Sequence, residues 1–270
     1  MHIGGSFPQE ISDVLDVLGC FSRIDNLSMQ HIDSETPDIN DVGNLSSMLV
    51  STFCVKSLSM SSFVAGIGSY LDVLDRIQAI QTLERLDVEC LPLDAMYLRT
   101  LSRIITNGGS NIEELSLRFS DIKDYTVASR NLSDLVSPTL LSLTSLQSFT
   151  IYLSLNVSAV SADVSIWTII VDLISALPTA TRHITIAIQD GVSPLWRITW
   201  KTIFEGMNGS ALRMGLQRLT ELEVVRFVHI SSGKPDLRGV SIVERALPEL
   251  VGRDILRFEQ RDAKEQFNAW

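Results

Sequence analysis

A chain of 270 residues, 45% of them hydrophobic and 20% charged, has ample Leu, Ile and Val for one large or two ordinary domains, which excludes a disordered chain. Its formal charge of −10 argues against general binding to nucleic acid or to an anionic membrane, because phosphate contacts need clustered Lys and Arg. Three cysteines, Cys20, Cys54 and Cys90, lie 34 and 36 residues apart and fit neither a disulfide framework nor a close-spaced metal site.

The first residues, "MHIGGSFPQEI", lack the basic and apolar regions of a signal peptide, and residues 1–9 read as a tail. Ile11, Val14, Leu15 and Leu18 then stand at i, i+3, i+4 and i+7, the stripe of an amphipathic helix. Residues 10–41 carry Glu10, Asp13, Asp16, Asp25, Asp33, Glu35, Asp38 and Asp41 against Arg23, so −7 of the −10 sits there, as a solvated polar end, the alternative being a docking patch for a basic partner. The cysteines read as small buried hydrophobes in a reducing compartment.

From Ile24 onward a template recurs, apolar-x-x-apolar-x-apolar. It reads "IDNLSM" from Ile24, "VKSLSM" from Val55, "LERLDV" from Leu83, "IEELSL" from Ile112 and "LQSFTI" from Leu146. Weaker copies are "TRHITI" from Thr181, "LEVVRF" from Leu222 and "RDILRF" from Arg253. The starts are 31, 28, 29, 34, 35, 41 and 31 residues apart, room for one strand and one helix per unit with loop insertions. Within each copy the last apolar residues alternate with polar ones, the period of a strand covered on one face.

Helical stripes lie between the strands. Ile67, Tyr70, Leu71, Leu74 and Ile77 form one; Leu93, Met96, Tyr97, Leu101 and Ile104 form the next. "NGGSN" at 107–111 reads as a helix end and turn rather than a phosphate loop, since no Lys-Ser/Thr follows. "IWTIIVDLISAL" is the most apolar run, yet too short to span a bilayer and interrupted by Asp172. The insert "QDGVSPLWRITW" at 189–200 sets Trp196 and Trp200 four apart, either on one helical face for packing inward or, as a second candidate site, on an exposed partner-binding loop.

Strand and helix in alternation predict an α/β fold with a parallel sheet and helices on one side, because parallel neighbours need a crossover. The simplest form is a curved leucine-rich-repeat-like solenoid of seven to eight irregular units over residues 10–260, with 261–270 as a tail. The alternative is a doubly wound α/β enzyme domain, such as a hydrolase, with dispersed catalytic residues. Its strands are usually continuous apolar runs, whereas these alternate.

Chemistry is sparse in the sequence. His2, His31, His183 and His229 are scattered, with no metal-binding helix spacing, and no nucleophile elbow exists, "AGIGSYLD" lacking the nucleophile. The reading is therefore non-enzymatic, without cofactor or metal. What remains is the open face of the sheet, lined by the second, fourth and sixth residues after each template start. That rule gives Asn26, Ser28 and Gln30, then Ser57, Ser59 and Ser61, small and neutral. Next come Arg85, Asp87 and Glu89; Glu114, Ser116 and Arg118; Ser148, Thr150 and Tyr152; and His183, Thr185 and Ala187. Arg85, Asp87, Glu89, Glu114, Arg118, Tyr152 and His183 are the candidate partner-binding residues, a mixture of charge and aromatic side chain suited to specific protein contact.

The repeat strands resemble those of leucine-rich-repeat proteins without their asparagine ladder, its positions being held by Ile32, Phe63, Leu91, Ser120, Ser154, Gln189 and Ile230. More specifically, "SIWTIIVDLISALPTATRHITIAI", "ITWKTIFEGM", "LQRLTELEVVRFVHI" and "VERALPELVGRDILRFE" resemble the ends of fungal, especially basidiomycete, F-box and leucine-rich-repeat-like proteins. In that family an F-box binds the Skp1 adaptor of a cullin ubiquitin ligase and the repeats hold a substrate. The letters Phe7-Pro8-Gln9-Glu10-Ile11 look like an F-box opening, but the helix and template strand that follow read as one repeat unit, and the first Trp is Trp167. The resemblance thus implies the recognition half, with a protein partner in the cytoplasm or nucleus. Skp1 would join only through an F-box upstream.

Overall fold

The computed structural model describes residues 2–4, 17–30, 53–61, 67–90, 94–119, 125–155, 163–190, 204–230 and 238–261. Strand β1 (His2–Gly4) is followed by β2 (Arg23–Gln30), β3 (Cys54–Ser61), α1 (Ile67–Arg76), β4 (Arg85–Cys90), α2 (Ala95–Gly108) and β5 (Glu114–Phe119). Then come α3 (Tyr125–Leu135), α4 (Ser137–Leu140), β6 (Ser148–Leu155), α5 (Asp163–Ser175) and β7 (His183–Asp190). The last described elements are α6 (Gly209–Gln217), β8 (Val224–Ile230), α7 (Arg238–Ala246), α8 (Pro248–Gly252) and β9 (Leu256–Arg261).

All the described strands belong to one parallel sheet whose spatial order is the chain order, β1 to β9. A doubly wound sheet reverses order at a switch point. This one never does, so the fold is a leucine-rich-repeat-like solenoid. Each of the eight sequence templates lands on one of β2–β9. β1 differs from expectation, because residues 2–4 pair with β2 and the sheet begins inside what reads as a tail.

A backbone device repeats from unit to unit and shows that the irregular spacings hide one geometry. The Glu84 carbonyl accepts N–H bonds from Glu113 and Glu114 at 2.8 and 3.1 Å. Glu113 does the same for Gln147 and Ser148, Gln147 for Arg182 and His183, and Arg182 for Glu223 and Val224. Every acceptor is the second residue of a template. The forked bond pins the register where β5, β6, β7 and β8 begin, so the uneven spacings between these units fall in the connections.

Alternation then sorts the side chains. Leu27 and Met29, Leu58 and Met60, Leu86 and Val88, Leu115 and Leu117, Phe149 and Ile151, Ile184 and Ile186, and Val225 and Phe227 are all buried in one continuous core with the helices. Helices pack on their sequence neighbours, α1 on α2, α2 on α3, α3 on α5, α5 on α6 and α6 on α7. Strands repeat at ~4.8 Å while packed helices need ~8–10 Å, so a stack of such units bends with the sheet on its inner side.

Helix α2 begins where Asp94 accepts N–H bonds from Met96 and Tyr97 at 2.9 and 3.0 Å, an N-cap. Its buried face is Tyr97, Leu98, Leu101, Ile104, Ile105 and Gly108. Met96, expected in that stripe, is 69% exposed. At about 100° per residue it points some 140° away from Leu101, the centre of the face. Of the α1 stripe, Leu71 and Leu74 are buried and Ile77 half-buried. Of the early helix read over Ile11–Leu18 only residues 17 and 18 are described, both helical, with Leu18 buried and Val17 exposed; Trp196 and Trp200 lie outside the described residues.

Gly109 follows α2 with an ordinary right-handed backbone, φ −57°. Glycine serves there for space: a Cβ would stand 2.8 Å from the Ile105 carbonyl oxygen. Helix α5 buries Ile166, Trp167, Ile169, Ile170, Leu173 and Ile174. Trp167 opens an aromatic chain into the sheet, with ring centroids 5.5 Å apart to Phe204, 5.4 Å on to Phe227 and 5.7 Å on to Phe258. Among the described residues no helix is long and apolar enough to cross a membrane.

Candidate functional site

The side opposite the helices presents the residues that the template rule selects, in the register it requires. One row across the sheet is Asn26, Ser57, Arg85, Glu114, Ser148 and His183. The next is Ser28, Ser59, Asp87, Ser116, Thr150 and Thr185, and it continues through Arg226 to Arg257. A third runs Glu89, Arg118, Tyr152, Ala187, Val228 and Glu259.

Four candidates form a contiguous group. Arg118 clasps Asp87 with two parallel bonds, Nε to Oδ1 at 2.8 Å and a terminal nitrogen to Oδ2, and both side chains are largely covered, 15% and 25% exposed. Fork-to-fork pairing of this kind fixes a guanidinium in one plane. Tyr152 stands across from Arg118 on β6, and its hydroxyl donates to the Gln189 side chain. Burial pushes the Tyr152 pKa up to about 12, with the Arg118 charge opposing, so the phenol stays neutral and remains a donor. Glu89 faces Arg118 on β4 and is 6% exposed, not the open contact residue that strand position alone suggests.

Arg85 and Glu114 form a separate pair at 3.2 Å, well exposed on adjacent strands. His183 sits in the same row but two strands farther on, where its Nε2 lies 3.4 Å from Glu223. The sheet therefore brings Asp87, Glu89, Arg118 and Tyr152 together, places Arg85 and Glu114 beside them, and leaves His183 apart.

Residues that the first six units did not reveal are Gln189, Arg226, Arg257, Glu259 and Arg261. Arg226 is 3.0 Å from Glu259, which also accepts from Arg261 at 2.8 Å, and Arg257 pairs with Asp254 at 3.1 Å. Their signal was available, because Arg226 and Arg257 are the fourth residues after the starts Leu222 and Arg253.

The face is not polar throughout. Ala187, Val228 and Ile230 are 5%, 1% and 0% exposed and form an apolar cluster separate from the core, with Tyr152 packed against it. Ala187, expected as an open contact position, is thus buried. The signal missed was the near-continuous apolar run "VVRFVHI" of β8, the mark of a strand covered on both faces.

Behind the face, the Tyr97 hydroxyl donates to the Glu89 carbonyl oxygen, and burial, then the charges of its neighbours, holds the phenol neutral. Burial first and Glu89 second likewise push the Cys90 thiol far above its usual range, which makes it a poor nucleophile. All three cysteines are free, but only Cys90 is fully buried; Cys54 is half-buried and Cys20 exposed, because Cys20 lies in the turn before β2 and not on its inward side. Among the described residues no group of three or more His, Cys, Asp or Glu is placed to hold a metal ion. No family model matches the chain, and no curated protein is significantly similar to it.

Proposed function

We propose that this chain is a non-enzymatic recognition scaffold that binds a protein partner on the open face of its sheet, as the substrate-recognition half of fungal F-box proteins does. One observation carries the reading. On a chain of charge −10, the registered outward positions of β4–β9 hold five guanidiniums (Arg85, Arg118, Arg226, Arg257, Arg261) against four carboxylates (Asp87, Glu89, Glu114, Glu259). The outward surface is thus close to neutral, mixed in sign and anchored by a clasped Arg beside a Tyr. Such a composition suits protein contact, and it lacks the excess of cations that a nucleic-acid backbone demands. The compartment in this reading is the cytoplasm or nucleus, and Skp1 takes part only through an F-box upstream of Met1.

The test is affinity capture from the native cell with the whole chain as bait, compared with Tyr152→Ala and Arg85→Ala on the open face and Arg103→Ala on the helix side, where Arg103 bridges Asp72 and Asp75. A partner lost with the first two variants and kept with the third is the expected outcome. Equal capture by all of them overturns the reading. Robust co-precipitation of purified Skp1 by this chain alone would show that the stretch from Phe7 is a docking module after all.

A further inference from the structure

The outward side of β8 and β9, where Val228 and Ile230 are buried but Arg226, Arg257 and Arg261 are not, differs from the rest in one electrostatic respect. Arg226 and Arg257 are directly across from each other in the parallel register, and Arg261 is the next outward residue but one on β9. Neighbouring strands are ~4.8 Å apart, and like charges side by side on a sheet are destabilising. The same register elsewhere sets Arg85 against Glu114, so the fold has no need of facing arginines. Compensation is incomplete: Glu259 serves both Arg226 and Arg261, and Arg257 has Asp254, whose side chain is 93% exposed. Exposed pairs of that kind hold their partners weakly. The three guanidiniums remain two-fifths to half exposed.

We infer that Arg226, Arg257 and Arg261 form an anion-binding subsite that takes the carboxylates of an acidic segment of the partner. The inference rests on the recognition reading above and names the chemistry of what is recognised. Planar guanidiniums match carboxylates with two bonds each, and a carboxylate between Arg226 and Arg257 relieves their repulsion. The outward residues on the other side of the cluster are apolar and buried, Val228 and Ile230, so the cations border a low-dielectric wall that strengthens their field. The chain's net negative charge does not cancel this at ~0.15 M salt, where screening sets in over ~8 Å and only the local cluster is felt.

The experiment uses the full chain and a fluorescein-labelled octaglutamate peptide, with octalysine as the control, read by anisotropy at ~0.15 M salt. Expected are saturable binding of octaglutamate that weakens as salt rises, no comparable binding of octalysine, and a loss of at least about tenfold in affinity for Arg226→Gln/Arg257→Gln, the worth of about one charge-assisted contact. The same double variant should melt no lower than the parent, and Cys90 should stay closed to thiol reagents, since removing a like-charge contact does not unfold a sheet. Failure of octaglutamate to bind, or binding equal in the double variant, overturns the inference. So does displacement of the peptide by inorganic phosphate at lower concentration than by acetate, which would assign the site to phosphate. Self-association of the chain abolished by the double variant overturns it too, in favour of a second copy. If the double variant keeps a captured partner that Tyr152→Ala loses, this subsite fails while the recognition reading stands.

Discussion

The open faces of β4–β6 and of β7–β9 rest on the same parallel ladder and the same inward packing, yet their chemistry differs. Over β4–β6 the outward positions hold ion pairs, small hydroxyls and a tyrosine; over β7–β9 they hold a buried apolar cluster flanked by arginines. The difference shows how labour is divided in this fold. Inward residues and the forked bonds between template positions specify the stack, and outward residues are free to diverge because little of the stability depends on them.

The sharpest way to break that division is to exchange the two faces at one strand. Leu115 is buried against the helices and Glu114, next to it, is half-exposed on the open side. Leu115→Asp puts an unpaired carboxylate into the core and should cost about 4 kcal/mol or more, while Glu114→Ala removes only an exposed pair and should cost less than about 1 kcal/mol. Urea denaturation of both variants checks this. Equal tolerance would mean the strand register is displaced by one residue.

How much of this was legible in the chain follows from the same division. Alternation reveals which side of a strand is inward, so all eight template strands and the outward triplets through β7 could be read, down to Arg85 facing Glu114. Alternation is blind to what else covers the outward side. Glu89, Ala187, Val228 and Ile230 were therefore unreadable as buried from strand position alone. β1 was missed because three residues are too few to show a period, and Met96 because a helix stripe is defined only once the helix start is known.

A second prediction sharpens the comparison at the unit where the template weakens. Leu83, Ile112, Leu146 and Leu222 fill the first template position with buried apolar side chains, but β7's unit has Thr181, fully buried, whose hydroxyl has no hydrogen-bond partner. An orphaned buried hydroxyl is destabilising. Thr181→Val keeps the shape, supplies the apolar side chain that every other unit but the last carries here and should raise stability by about 1 kcal/mol, seen as a higher urea midpoint with an unchanged slope.

A third concerns the helix ends. α1 and α8 close in the same way, though they stand far apart in the chain. Gln78 and Asp254 adopt φ of 59° and 55°. In each case the next N–H reaches back to the carbonyl five residues earlier, Ala79 to Leu74 at 3.0 Å and Ile255 to Leu250 at 3.2 Å, and the Ala79 and Ile255 carbonyls in turn accept the N–H of a strand residue, Val55 at 2.7 Å and Val225 at 2.9 Å. This is the Schellman closure, where glycine is the favoured occupant. Gln78→Gly should stabilise by about 0.5–1 kcal/mol through relief of the left-handed backbone. Asp254→Gly should gain less, since Asp tolerates that conformation better and its contact with Arg257 is lost.

The smallest expected effect is a dependence on pH at the helix layer. Asp172 on α5 is partly withdrawn from water, which raises its pKa above the usual 3.8, and a hydrogen bond with Ser129 on α3 opposes the rise. For an acid whose folded pKa is raised, the native state holds a proton that the unfolded chain has released between the two values, so stability falls as pH climbs from about 3.8 through the folded pKa and stays lowered above it. Asp172→Asn removes the charge while keeping an acceptor for Ser129. Its thermal midpoint at pH 7 should be higher by about 1–2 °C, a modest figure because the group is largely solvent-screened, and the advantage over the parent should vanish as pH drops below the usual Asp range. An advantage that grows in acid would assign the effect to packing at the α3–α5 contact and not to the carboxylate's charge.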